Sequence, residues 1–164
     1  MSTMDFLNAF KYIYICRSLK EDDGWHSTVL NGEWKGPSAA GFPGKFRNLP
    51  QFSLTLYEPC NAYISLRQKS GNATFRGKNY IAWCIQAEDG ERINKINRAN
   101  IVAKSGLSNL SVMSGEANFG KEFDYPYTFT IMCGSKVAGQ GGEGQFELTV
   151  YARDPKMKVT PLNK

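Results

Sequence analysis

Residues 32–68, GEWKGPSAAGFPGKFRNLPQFSLTLYEPCNAYISLRQ, decide the fold because their pattern changes abruptly at Pro50. From 51 to 56, apolar and polar residues alternate, which is typical of a strand with one buried face. A turn follows at 57–61, and the alternation resumes over 62–66. Two such runs around a turn that contains proline predict an antiparallel hairpin or a corner of a β-sandwich.

Alternating or apolar runs recur along the rest of the chain, at residues 25–30, 80–85, 127–131 and 146–150. Asp89-Gly90 is a favoured tight-turn pair. Shorter strands are predicted at 101–103 and 110–113. We therefore expect an all-β fold, an antiparallel two-sheet β-sandwich of about eight strands.

The segments between and beyond these runs are predicted to be irregular. Residues 116–124 and the glycine-rich 134–144 are expected to be loops, and 154–164 a tail. At the other terminus, Phe6, Phe10 and Ile13 are spaced as one face of a short N-terminal helix. A length of 164 residues predicts one domain.

The order of several segments resembles the calpain C2-like domain, the β-sandwich that follows the protease core in calpains. The first segment is a Gly-Xaa-Trp that looks exposed. A run of small residues, the start of one strand and a second strand follow it. The last segment is a strand about a hundred residues further on. The positions of these segments are Trp34, Gly41, Pro50, Gln51, Phe52, Ser65, Leu66, Phe146, Val150 and Tyr151.

The resemblance implies that residues 1–14 form the junction from a protease core, that 15–153 form the C2-like domain and that 154–164 follow it. It implies a non-catalytic regulatory domain that packs on the protease core of its own chain. The expected location is the cytoplasm, with membrane association. The alternative is a stand-alone C2-like adaptor for lipid or protein that has no protease core.

Catalysis by this chain is not expected. A calpain site needs a nucleophilic cysteine, a histidine that activates it and an asparagine that orients the histidine. The chain has one histidine, His26, within a predicted strand. Cys84 and Cys133 lie in apolar runs and are predicted to be small core residues.

Calcium is the cofactor that the resemblance suggests. C2 domains gather several aspartates on loops at one end of the sandwich, because Ca²⁺ prefers six to eight oxygen ligands. The turn at 57–61 has only one carboxylate. The remaining candidates are Asp22, Asp23 and Asp89, with Glu21, Glu88 and Glu91 beside them. We favour ordinary polar turns and no cofactor.

The charge of the chain permits contact with an anionic surface. The net formal charge is +5 and the isoelectric point is near 9.0. Pairing of the two strands at 51–56 and 62–66 would bring several cations close together as a lipid- or partner-contacting group. These are Lys35, Lys45, Arg47, Arg67, Lys69, Arg76 and Lys78. Dispersed solubilising charges are the alternative. Nucleic acid is not expected as a partner, because the chain has no RNP-type aromatic motif or recognition helix.

Overall fold

The structure is a computed structural model of the 164-residue chain. It describes residues 18–39, 41, 46–69, 79–137 and 140–163. The predicted N-terminal helix and junction lie outside these residues, as do Lys45, Arg76 and Lys78.

The described part of the chain contains ten strands and four short 3-10 turns. Their bounds are β1 His26–Trp34, β2 Gln51–Leu56, β3 Cys60–Lys69, β4 Tyr80–Gln86, β5 Ile101–Lys104, β6 Val112–Phe119, β7 Tyr127–Val137, β8 Gln140–Gly141, β9 Gly144–Ala152 and β10 Lys158–Pro161.

The strands form two antiparallel sheets. The first sheet has the order β1-β9-β3-β6, and the second has the order β10-β2-β7-β4-β5, with β8 paired to β7. Strands β5 and β6 contact each other across the two sheets. The all-β sandwich predicted from the alternating runs is therefore confirmed.

A single large core fills the space between the sheets. Successive side chains of a strand point to opposite faces, so every second residue of each strand faces this core. From the first sheet, Ile64, Leu66 and Leu148 are fully buried; from the second, Leu54 and Phe129 are. Burial of each such side chain stabilises the fold by about 1.5–3 kcal/mol.

The outer face of the second sheet is covered rather than exposed. Met132 and Cys84 point to this face and pack with Leu49 and Ile93 in a smaller cluster. The covering residues come from the 3-10 turn before β2 and from the long connection between β4 and β5. Both faces of β4 are thus covered, and all but its first residue are buried.

The two strands of the deciding segment form a sandwich corner. β2 pairs with β7 and β10 in the second sheet, whereas β3 pairs with β6 and β9 in the first. The hairpin alternative, and the β2–β3 pairing on which the predicted cation group depended, are therefore wrong. The chain crosses between sheets at Tyr57, whose N–H donates to the buried Asp154 carboxylate at 2.6 Å.

Three segments expected to be irregular contain strands. Residues 116–119 are the end of β6, and 134–137 extend β7 to Val137. Within 154–164, predicted as a tail, β10 pairs with β2 in register from Lys158 to Pro161. The edge position of β10 explains its proline, because an edge strand needs no ladder donor on its free side.

Candidate functional site: two oppositely charged ends

Charge is distributed unequally between the two ends of the sandwich. One end, called the acidic end, comprises the connections at residues 18–25, 57–59, 87–91, 120–126 and 153–157. The opposite end, called the basic end, comprises the connections that follow β1, β3, β5 and β7. Their described residues are 35–39, 41, 46–50, 79, 105–111 and 142–143. The nine residues of β1 rise about 3.3 Å each, so the two ends lie roughly 30 Å apart.

The acidic end carries most of the carboxylates of the chain. Its connections contain ten acidic residues and four basic ones, a net formal charge of −6. The carboxylates are Glu21, Asp22, Asp23, Glu58, Glu88, Asp89, Glu91, Glu122, Asp124 and Asp154. The rest of the long β4–β5 connection carries three cations across the outer face of the second sheet.

The candidate metal residues Asp22, Asp23 and Asp89 all lie at the acidic end, but in separate loops. Asp22 and Asp23 belong to the 3-10 turn before β1, at one edge of the first sheet. Asp89 follows β4 in the second sheet. The neighbour of β4, strand β5, contacts β6, which is the opposite edge of the first sheet. Within the described ranges, no three His, Cys, Asp or Glu side chains are grouped so as to hold a metal ion.

Among the described residues, the connections of the basic end carry two cations, Lys35 and Arg47, and one carboxylate, Glu143. Four of the seven predicted contact residues are described: Lys35, Arg47, Arg67 and Lys69. All four are exposed and belong to this end, Arg67 and Lys69 through the last residues of β3.

The local partners of these cations differ. The Lys69 ammonium lies 2.5 Å from the Asn31 amide oxygen and 3.5 Å from the Glu147 carboxylate, which offsets its charge. A cavity of about 390 Å³ lies beside Lys69, Asn31 and Gly32 on the outer face of the first sheet. Arg67 lies between Glu147 and Val112 in the cross-strand register.

The residues that resemble the calpain C2-like domain mainly hold the sandwich together. Trp34, expected to be exposed, is only 1% exposed, so that expectation is wrong. Its indole Nε1 donates to the Cys133 carbonyl at 3.2 Å, and its ring lies 4.4 Å from that of Phe146. Because β1 and β7 belong to different sheets, Trp34 joins the two. Phe52 packs edge-on against Phe146 in the same cluster.

Gln51 makes a second internal link. It is 2% exposed although it lies on the polar side of β2. Its amide Nε2 donates to the Phe46 and Ile93 carbonyls at 3.0 and 2.9 Å, and its Oε1 accepts the Ile93 N–H at 2.6 Å. The carbonyl of Pro50 accepts the Cys133 N–H. These bonds fasten the covering segments to the second sheet.

The remaining residues of this set are divided between the interior and the outer face. Leu66 and Val150 are buried in the core, and Gly41 has a φ of 83°, which glycine adopts without strain. Ser65 and Tyr151 lie on the outer face of the first sheet, where the Tyr151 and Tyr63 rings are 6.4 Å apart.

The described thiols are poor nucleophiles at neutral pH. Burial, assisted by the Asp154 carboxylate, raises the pKa of Cys60 to about 11, and burial raises the pKa of Cys84 to the same value. Complete burial raises the pKa of Cys133 as well. A thiol reacts as its thiolate, so these groups stay protonated and unreactive.

One feature was missed at the level of sequence: an apolar corner, formed by Tyr80, Leu107, Leu110 and Val112 at the basic end. All four are exposed, Leu107 by 47% and Leu110 by 59%. The available signal was the composition of residues 105–112, SGLSNLSV, which includes no charge in a chain that is 21% charged.

No family model matches the chain. Among solved structures, it is similar to a chain of the Israeli acute paralysis virus full particle heated to 63 degrees. The identity is 5%, the TM-score 0.40, and the match covers 100% of this chain and 83% of that one. The P-domain of Macrobrachium rosenbergii nodavirus shows 14% identity and a TM-score of 0.22, over 80% of this chain and 94% of that one. At these scores neither likeness bears on function.

Within the described ranges, no helix has the length and apolarity that crossing a bilayer requires.

Proposed function

We propose that this chain is a non-catalytic docking domain of a calpain-type protein, which binds an anionic membrane surface through its basic end. In this proposal the sandwich is a rigid scaffold, and the loops at its ends make the contacts. The parent protein is a cysteine endopeptidase whose active site belongs to a separate protease core.

The separation of charge is the observation that carries the docking proposal. The described connections of the basic end carry Lys35 and Arg47 with one carboxylate, whereas the loops roughly 30 Å away carry ten carboxylates with four cations. The Debye length at physiological ionic strength is about 8 Å, so the acidic end is screened from a surface that contacts the basic end. Each Lys or Arg that lies close to the membrane surface contributes about 1 kcal/mol to binding an anionic leaflet.

The calpain relationship is supported by the residues that carry the resemblance. Trp34, Gln51 and Phe146 each link parts of the sandwich that are distant in sequence. A set of residues with such structural roles is what a shared fold would retain. The stand-alone adaptor is the second candidate, since it would use the same scaffold and the same basic end.

Vesicle flotation tests the docking proposal. The purified chain is mixed with neutral phosphatidylcholine vesicles and with vesicles that contain 30% phosphatidylserine, at low salt. We expect flotation with the anionic vesicles only. Equal flotation, or none, with both would contradict docking by charge. Sequencing the transcript upstream of the Met1 codon distinguishes the calpain-type protein from the stand-alone adaptor. Cysteine, histidine and asparagine motifs of a protease core would support the calpain-type protein.

A further inference from the structure

Strand β1 forms an open edge of the first sheet. It pairs with β9 on one side, and no described residue pairs with its other side. The register with β9 runs without a shift through all nine residues, from His26 to Trp34. An open edge of this length exposes a row of backbone N–H and C=O groups that can pair with another strand.

The hydrogen bonds of β9 show which backbone groups of β1 point outward. The Arg153 N–H donates to the Asn61 carbonyl at 3.3 Å, so Arg153 directs its backbone groups to β3. Successive residues of a strand direct these groups to alternate sides, so every second residue of β9, counted back from Ala152, bonds to β1. Its partners in β1 are His26 and every second residue after it. The residues between these direct their backbone groups to the open side: Ser27, Val29, Asn31 and Glu33.

The other edges of the sandwich have features that hinder strand addition. β10 has four residues, which include Lys158 and Pro161. β5 also has four residues, and its register with β4 shifts between Ile85 and Gln86. β6 contacts β5 across the two sheets. β1 is longer than β5 and β10 and has no proline, no lysine and no register shift, so it lacks these protections.

The sequence of β1 is complementary to itself when two copies run antiparallel with Leu30 opposite Leu30. Ser27 then lies opposite Glu33, and Val29 lies opposite Asn31, each pair occurring twice. All four outward residues are thus paired, and four pairs with two bonds each make about eight backbone hydrogen bonds. On the inner face, Leu30 is partly buried against the core, and the two leucines would cover each other.

Charge favours the same register. Glu33 is the only acidic or basic residue of β1, and it faces an uncharged serine, so no like charges are opposed. Beside that serine, the Arg153 guanidinium lies 5.2 Å above the ring of Trp25, the residue before β1. The carboxylate of one copy therefore approaches a cation of the other.

We infer that two copies of this chain pair through their β1 strands, with Leu30 opposite Leu30, as a symmetric dimer. The two four-stranded sheets become one continuous sheet. Addition of a strand to an open edge is a recurrent mode of recognition, and a twofold axis closes the contact because each copy uses its edge once. The inference goes beyond the proposed docking function and does not depend on it. A strand of another protein is the competing occupant, but it would not require β1 to match its own sequence.

Sedimentation velocity over about a hundredfold range of concentration tests the dimer, because mass action makes pairing depend on concentration. The sedimentation coefficient should rise from that of an 18.3 kDa monomer to that of a dimer. Ser27→Lys puts a cation opposite Glu33 of the other copy, twice, and should tighten the dimer about fivefold. Ser27→Glu opposes two carboxylates, twice, and should weaken it about fivefold. High salt should reduce both effects.

Val29→Pro tests the backbone pairing directly. It removes an N–H that β9 does not use, which an edge strand tolerates, and it should weaken the dimer more than about tenfold. Val29→Thr is the matched control, because it keeps the N–H and the branched Cβ, and it should dimerise as the wild type does. Thermal melts at the lowest concentration check that each variant is folded.

A wild-type chain that stays monomeric at every concentration would overturn the inference, leave the edge to a strand of another protein and leave the docking proposal untouched. Equal effects of Ser27→Lys and Ser27→Glu would contradict the register. A dimer that a folded Val29→Pro chain still forms would put the contact outside β1. If Val29→Pro does not fold, the two variants of Ser27 decide alone.

Discussion

At the scale of single residues, close contacts between the sheets decide which substitutions the core tolerates. Gly32 lies in β1 against the ring of Phe146, which itself contacts Trp34. A Cβ at Gly32 would overlap Cζ of that ring. Because the ring is completely buried, it cannot move without disturbing its neighbours.

Gly32→Ala should therefore destabilise the protein by about 1–3 kcal/mol, the usual cost of overpacking a core. The measurement is the free energy of unfolding in urea. Gly106→Ala is the control, since a Cβ at Gly106 meets nothing within 4 Å, and its effect should stay within about 0.5 kcal/mol. Equal stability of the two variants would show that Phe146 is not held as described.

Sequence alone predicts such residues incompletely. The alternation around Phe52 correctly indicates which side of β2 faces the core, but it also puts Gln51 on the solvent side. Gln51 is buried because the segments before β2 and after β4 cover that face, and periodicity within one strand contains no information about them. Trp34 was misplaced for a related reason: its partner, the Cys133 carbonyl, is 99 residues away.

At the scale of elements, the C-terminal strand β10 depends on a clamp outside its own sheet. The Arg92 guanidinium donates to the Leu162 carbonyl at 2.6 Å and to the Arg47 and Leu49 carbonyls at 2.7 and 3.1 Å. One side chain thus joins the end of the chain to the segment before β2. Burial lowers the pKa of Arg92 from its usual value.

Arg92→Lys should loosen β10, because an ammonium cannot reproduce the planar fork of donors that reaches separate carbonyls. Loss of hydrogen bonds to a charged group costs about 1.5–3 kcal/mol. Amide hydrogen exchange of Thr160 and Leu162 should accelerate about tenfold, measured by mass spectrometry or NMR.

Arg98→Lys, an exposed position in the same connection, is the control for this variant and should leave exchange in β10 unchanged. If Arg92→Lys also leaves that exchange unchanged, the clamp does not hold the strand.

The elements that sequence predicts best are those with long, clean alternation, such as β2, β3 and β9. The sequence of β10 predicts a tail, because four residues, one of them proline, make too short a pattern for a strand. The turn at 57–61 left a hairpin and a corner open, since both begin with two alternating runs. The choice is made by non-local pairing of β2 with β7 and of β3 with β9.

At the scale of the whole molecule, the fold collects charges that look scattered along the chain. Lys35 and Arg67 are 32 positions apart yet belong to the same end, because β1 and β3 are parallel to each other on either side of β9. The predicted reason for their proximity, pairing of β2 with β3, was wrong, although the four described residues do share an end. The order of the strands in the sheets separates the charges between the two ends, and this order cannot be read from the alternation pattern of the sequence.

The decisive measurement compares phosphatidylserine vesicle binding by two variants of equal net charge, +3. One has Lys35→Gln with Arg67→Gln at the basic end, and the other has Lys121→Gln with Lys156→Gln at the acidic end, all four positions being exposed. If the basic end docks, the first variant should lose about tenfold or more in affinity and the second should bind as the wild type does. Equal losses in both variants would mean that binding follows net charge, and would contradict docking by a defined end of the sandwich.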